Sequence, residues 1–302
     1  MFFKKISLSV ACMVIAFWGQ AQQMAQVKQF FNNQLVYNPA AAGMQESDFN
    51  VGLISRLQWS NVKGAPFTNM LWADYRFDEK NAAIGINANY EKYGAQTITD
   101  FMANYSYHIQ LGRGRKFGMG LRAGVSNIKF DAASLDVWDP NDPTLANANK
   151  SYLLPKFGLG FMYESRTFFA GVSSPDLLIV DSENYLQNKD RAFLDKRRNF
   201  VANAGYRFRL GDQYKLLPNV IYYYFPSGSN VADFNLSFLI TDYFWFGGSY
   251  ATNKSFGLNA GTYISSRFRL GYTYQGVTSS NIDTRLNTHE INLIVSLDDL
   301  FK

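Results

Sequence analysis

The chain has 302 residues, of which 17% are aromatic, 47% hydrophobic and only 18% charged, with a formal net charge of +5. That aromatic share excludes a disordered or coiled-coil chain, because such chains are poor in Phe, Tyr and Trp and rich in charge. One Cys and two His (His108 and His289) leave no material for a Cys-based zinc site, a His-rich metal centre or an internal disulfide, and no Lys/Arg block marks a nucleic-acid surface.

The chain opens as an export signal. Lys4 and Lys5 form a positive start, Ile6 to Trp18 is apolar, and Gly19-Gln20-Ala21 supplies the small residues that a signal peptidase requires. Cleavage is expected after Ala21, which makes residues 1–21 the signal peptide. The alternative, a membrane anchor, needs a longer apolar run to cross roughly 30 Å of hydrocarbon. Cys12 is preceded by Ser9-Val10-Ala11 and followed by more apolar residues, so it reads as a signal residue and not as a lipidation site. The mature chain is then free of thiols, as suits an oxidising compartment.

Residues 22–48 carry Phe30-Phe31-Asn32-Asn33 and Tyr37-Asn38-Pro39-Ala40-Ala41-Ala42-Gly43. The Asn-Pro step breaks regular structure. The Phe pair and Tyr37 predict a segment that docks at the periplasmic end of the following domain or inside it, as opposed to a disordered leader.

From residue 49 to 302 the hydrophobic period is two. Phe101, Ala103, Tyr105, Tyr107, Ile109 and Leu111 alternate with Met102, Asn104, Ser106, His108 and Gln110. Fourteen such segments begin near Phe49, Phe67, Ala83, Thr97, Phe117, Lys156, Phe168, Phe200, Leu216, Ala232, Phe244, Phe256, Phe268 and His289. Tight connections at Asp78–Ala82, Gly112–Lys116, Glu164–Thr167, Gly211–Tyr214, Thr241–Tyr243 and Ser265–Arg267 all fall on one side. Longer ones intervene, including Leu57–Pro66, Asp131–Leu154, Ser173–Asn199 and Gly276–Asn287. An even strand number with short periplasmic turns and long extracellular loops is the pattern of an outer-membrane barrel. The predicted fold is therefore all-β: a transmembrane barrel of about 14 antiparallel strands. A soluble sandwich, propeller or β-helix would also alternate, but with a packed Val/Ile/Leu face, whereas here Phe and Tyr crowd one face and the strand ends.

Little in the chain points to chemistry. Gly112-Arg113-Gly114-Arg115-Lys116-Phe117-Gly118 resembles a phosphate loop superficially, yet it joins two strands and no helix follows. His108 lies mid-strand with no Ser or acid at a catalytic spacing, and His289-Glu290 reads as a structural pair at the start of the last strand. No catalytic, cofactor-binding or metal-binding residue is assigned, and no enzymatic activity is expected. Arg122, Arg207, Arg209, Arg267 and Arg269 share the inward face with Asp74, Asp100, Glu164 and Asp233. Such charges fit either an anion-selective pore or a salt-bridged, plugged lumen. Inward Gly118, Gly120, Gly158, Gly160, Gly257 and Gly261 leave room for an inserted segment. In the two longest loops, Trp138, Pro140, Pro143, Tyr152, Pro175 and Asp176 are the candidate partner-binding residues, since an exposed aromatic is a usual anchor.

Tyr37-Asn38-Pro39-Ala40-Ala41-Ala42-Gly43, with Arg56-Leu57-Gln58-Trp59 and Gly64-Ala65-Pro66-Phe67-Thr68, resembles the N-terminal signature of the PorP/SprF family of Bacteroidetes outer-membrane proteins. The likeness continues through Gly171-Val172-Ser173-Ser174-Pro175-Asp176, Phe244-Trp245-Phe246-Gly247-Gly248-Ser249-Tyr250, Gly271-Tyr272-Thr273-Tyr274 and His289-Glu290. Ala41 stands where an aromatic is common, a departure that touches packing. The resemblance implies an outer-membrane component of the type IX secretion system. It would sit in outer-membrane lipid, work with a periplasmic peptidoglycan-binding lipoprotein, and assist export or surface attachment of secreted proteins with a type B C-terminal domain, gliding adhesins among them. The rivals are an outer-membrane diffusion channel for small anions and, less in keeping with the residues, a lipid hydrolase using His108 or His289.

Overall fold

The computed structural model describes residues 26–45, 47–131, 150–179, 199–226, 230–240, 243–278 and 286–298. The expected signal peptide and Trp138, Pro140 and Pro143 lie outside the described residues. The strand segments are β1 (Phe49–Leu57), β2 (Phe67–Phe77), β3 (Ala82–Tyr93), β4 (Gln96–Gln110), β5 (Lys116–Phe130), β6 (Lys150–Glu164), β7 (Phe168–Ile179), β8 (Phe200–Tyr206), β9 (Phe208–Arg209), β10 (Tyr214–Tyr224), β11 (Val231–Ile240), β12 (Phe244–Ala251), β13 (Ser255–Tyr263), β14 (Phe268–Val277) and β15 (Thr288–Leu297). β8 and β9 both pair with β10 and are one strand interrupted at Arg207. Every strand lies antiparallel to its neighbours, and β15 returns to β1 with Leu297 opposite Phe49, so the sheet closes into a fourteen-stranded barrel. Closure leaves no strand edge without a partner, the condition for a sheet in hydrocarbon.

The alternation decides which way each side chain points. In β4, Phe101, Tyr105, Tyr107 and Ile109 face out and are exposed, while Met102, Asn104, Ser106 and His108 face in and are buried. Exposed Phe168, Tyr206, Phe208, Tyr214, Phe244 and Phe268 ring the end with the short turns, as an interfacial girdle requires.

Three expectations need correction. β6 begins at Lys150, so Tyr152 is a strand residue packed beside Ile98, Ile128 and Leu154 and not part of a surface loop. Pro155 masks this in the sequence, because proline usually ends a strand. β7 likewise runs to Ile179 through a bulge in which Pro175, Asp176 and Leu177 face the single Gly158. Pro175 is thus buried in the wall, and Asp176 is held by Lys156 at 2.7 Å. Finally, two tight turns sit on the long-loop side, Gly94-Ala95 between β3 and β4 and Thr252–Lys254 between β12 and β13, enabled by left-handed Gly94 (φ 56°) and Lys254 (φ 62°).

β4, β5 and β6 have 15 residues each, whereas β12 has 8. A tilted strand crosses the hydrocarbon in about 9 to 11 residues. The β4–β6 wall therefore rises above the membrane on the long-loop side.

Candidate functional site

The lumen is filled by the chain's own N-terminal segment. Residues 28–44 run through a short turn at Phe30–Asn32, one helical turn at Gln34–Tyr37 and another tight turn at Pro39–Ala41. Almost every residue of this plug is buried. Asn38 starts the last turn by accepting a hydrogen bond from the Ala40 amide on its side-chain oxygen (2.9 Å), with Pro39 at the position where a missing N–H costs nothing.

Apolar plug residues meet apolar inward residues. Val27, Phe30, Leu35, Val36 and Tyr37 pack with Ile54, Met70, Trp72, Ile221 and Tyr223, and Ala40, Ala41 and Met44 pack with Met162, Phe169 and Leu217. The Tyr37 and Tyr223 rings meet edge to face at 5.6 Å. Burial raises the Tyr37 phenol well above its ordinary pKa, so it stays neutral and accepts the Val27 amide at 2.7 Å.

Polar wall residues hold the plug by its main chain. Arg122 donates to the Leu35 carbonyl (2.5 Å) and the Val36 carbonyl (3.1 Å), and is itself steadied by Asn104 (2.7 Å). The Ser173 hydroxyl donates to the Tyr37 carbonyl (2.9 Å), and the Ser106 hydroxyl to the Ala40 carbonyl (3.3 Å). His108 meets the Ala42 carbonyl at 2.9 Å. The Gly43 amide donates to Asp74 (2.5 Å). Gly43 is left-handed (φ 68°), and a Cβ there would lie 2.5 Å from that of Ala83.

The other end of the plug is clamped by charge in the outer half of the barrel. The Lys28 ammonium bonds Asp233 at 2.5 Å and Ser255 at 3.4 Å. Burial pushes the Lys28 ammonium below its ordinary range, and Asp233 opposes that shift. Glu290 accepts the Lys28 amide (3.2 Å) and pairs with Arg56 (3.1 Å), which also donates to Gln275 (2.7 Å). Gln29 reaches Thr273 (3.0 Å) and Trp245 (3.2 Å), and Trp72 donates to Asn33 (2.8 Å).

Inward glycines receive the plug. At Gly120 a Cβ would lie 2.2 Å from the Ala40 nitrogen, and at Gly160 it would lie 2.1 Å from Asn38 Oδ1. Gly120→Val should therefore keep the plug from seating while the strand still forms. With a cysteine substituted at Ala41, a water-soluble maleimide should label that variant in folded barrels and leave the Ala41→Cys parent unlabelled; equal protection in both would contradict the fit.

Residues 19–295 match the family model of the type IX secretion system membrane protein PorP/SprF. The chain belongs to this family. No curated protein matches it. Among solved structures, the CymD monoaromatic hydrocarbon channel is similar at 13% identity, covering 93% of this chain and 95% of that one with a TM-score of 0.56. The Ralstonia pickettii toluene transporter TbuX is similar at 11% identity, covering 87% and 93% with a TM-score of 0.52. At such identities the likeness concerns the barrel fold. The PorP/SprF protein is thus an outer-membrane β-barrel and a membrane component of type IX secretion.

The motif residues fall at both ends of the plug's seat. Tyr37, Asn38, Pro39 and Gly43 belong to the plug, and Asn38 also donates to the Phe161 carbonyl of β6 at 3.0 Å. Arg56 is part of the Glu290 clamp. Gln58, Trp59, Gly64 and Pro66 shape the β1–β2 connection: the Gln58 amide bonds the Pro66 carbonyl, the left-handed Trp59 bonds Thr288, and left-handed Gly64 accepts the Gly94 amide.

The five arginines divide. Arg122 holds the plug, Arg207 pairs with Glu164 (2.7 Å), and Arg269 bonds Gln45 (3.1 Å) and Ser296 (3.0 Å). Arg209 ends β9 exposed at the rim, and Arg267 lies exposed in the turn before β14, so neither lines the lumen as alternation suggested. The alternation fails there because both sit where the strand ladder stops. His289 is on the outer surface, bonded to the Tyr272 hydroxyl at 2.7 Å. The residue that sequence patterning missed is Lys28; nothing marks it in a segment without periodicity.

Proposed function

We propose that this protein is a non-enzymatic type IX component that assists export or surface attachment of secreted proteins bearing a type B C-terminal domain, gliding adhesins among them, in a Bacteroidetes outer membrane. A periplasmic peptidoglycan-binding lipoprotein is its partner at the short-turn end, and the extracellular loops meet the secreted protein. Family membership supports the reading, and one observation favours it over a diffusion channel: the lumen is occupied by an internally bonded plug. Arg122, Arg56 and Arg207, which an anion pore would present to solute, are engaged with carbonyls or carboxylates instead. Deleting the gene should leave at least one protein with a type B C-terminal domain unexported or shed into the medium, read by mass spectrometry of surface and medium fractions. Normal display of all such proteins would refute the proposal.

A further inference from the structure

The lumen holds its plug chiefly by side chains that bond main-chain groups, as Arg122, Ser173, Ser106 and Asp74 do on one wall. The facing wall holds Lys28 and Gln29 through Asp233, Ser255, Thr273 and Glu290, and among the described residues it alone carries asparagines with both side-chain amide atoms unbonded. Both amide atoms of Asn259 and of Asn292 are buried with no hydrogen-bond partner, as are the Ser249 hydroxyl, Asn219 Oδ1 and Asn235 Nδ2. They form one patch on β10 to β15: Asn219 lies opposite Asn235, and Asn235 opposite Ser249. Asn259 lies opposite Gly247, the next inward position from Ser249, and Asn292 opposite Gly271.

A buried amide without a partner destabilises the fold, and leucine has the same branched heavy-atom skeleton without that cost. Groups of this kind persist where they serve a second state. An uncharged amide both donates and accepts, which matches the peptide group and is indifferent to the charge of the side chains passing by.

Resting on the secretion reading above, we propose that the inner face of β10–β15 is a docking track for an extended polypeptide segment of the secreted protein, bonded through its main chain after the plug has moved aside. The Asn/Ser patch lies on the same strands as the Asp233, Ser255, Thr273 and Glu290 side chains that now hold Lys28 and Gln29.

Two experiments on the full-length protein in cells test this. Asn259→Leu combined with Asn292→Leu should raise the melting temperature of the purified barrel, yet abolish most display of the secreted protein that depends on the gene. Serine at both positions should restore display. A stabilised variant with normal display, or one with no gain in stability, would overturn the proposal. Separately, the Cβ of Ala42 lies 3.6 Å from the position a Cβ would take at Gly85, within disulfide range. Ala42→Cys with Gly85→Cys should therefore lock the plug. Display should fall under oxidation and recover on reduction, with folding checked by heat-modifiable gel mobility. Undiminished display by the oxidised, folded variant would sink the proposal. If gene deletion itself leaves display intact, the secretion reading has failed; if deletion abolishes display while both variants support it, the track alone has failed.

Discussion

Glu290→Leu should lower the unfolding free energy of the barrel by about 3 to 5 kcal/mol, the usual cost of leaving one member of a buried ion pair without its partner. Glu290 is fully buried, and Arg56 is 3% exposed. The two sit directly opposite each other on β15 and β1, where the sheet closes. Removing the carboxylate strands the Arg56 guanidinium with Gln275 as its remaining side-chain hydrogen bond, and frees the Lys28 amide inside the lumen. Arg56→Met with Glu290→Leu should recover much of the loss, because replacing both charges by apolar groups of similar size removes the stranded ion. Urea unfolding in lipid vesicles, followed by Trp fluorescence, checks both. A single-variant cost under about 1 kcal/mol would mean that the pair is solvated like a surface bridge.

In planar bilayers the intact protein should be electrically silent, and Arg122→Ala should conduct. Arg122 holds two plug carbonyls at 2.5 and 3.1 Å on the rigid wall of β4 and β5. Each buried carbonyl left unbonded costs about 1 to 3 kcal/mol. Every 1.4 kcal/mol is about tenfold in an equilibrium constant, so the population with a displaced plug should rise by at least tenfold and openings should become frequent. Steady current through the intact protein would instead favour the anion channel. Silence of a correctly folded Arg122→Ala would show that the Lys28 and Glu290 clamp is enough to keep the plug seated.

Much of the barrel was legible because alternation survives wherever the inward face is polar. Ser, Asn and Gly between outward Phe and Tyr mark β4, β5 and β11 to β13 almost to the residue. The loop-side ends were lost at Pro155 and Pro175, whose sequence signal is a break although the chain continues as strand or bulge. The lumen was harder to read. Parity assigned Arg122, Asp74 and Asp233 inward, but direction alone does not separate an open ring of charges from a plug's ligands. A signal did exist in Met70-Leu71-Trp72-Ala73, apolar on both faces, which is the mark of a strand covered on both sides. Lys28 could not be found this way, because its partner Asp233 is 205 positions away and only the closed sheet brings them together.

That separation bears on how the molecule is made. The plug is the first part of the described chain, yet its ammonium and main chain are gripped by β11, β13 and β15, and the same Glu290 ties the last strand to the first. A chain lacking its final strand offers the plug a half-built socket and no carboxylate for Arg56. The N-terminal segment therefore reaches its full set of bonds only when the last strand is in place, and a barrel stalled before that step should show an N-terminus more open to added protease.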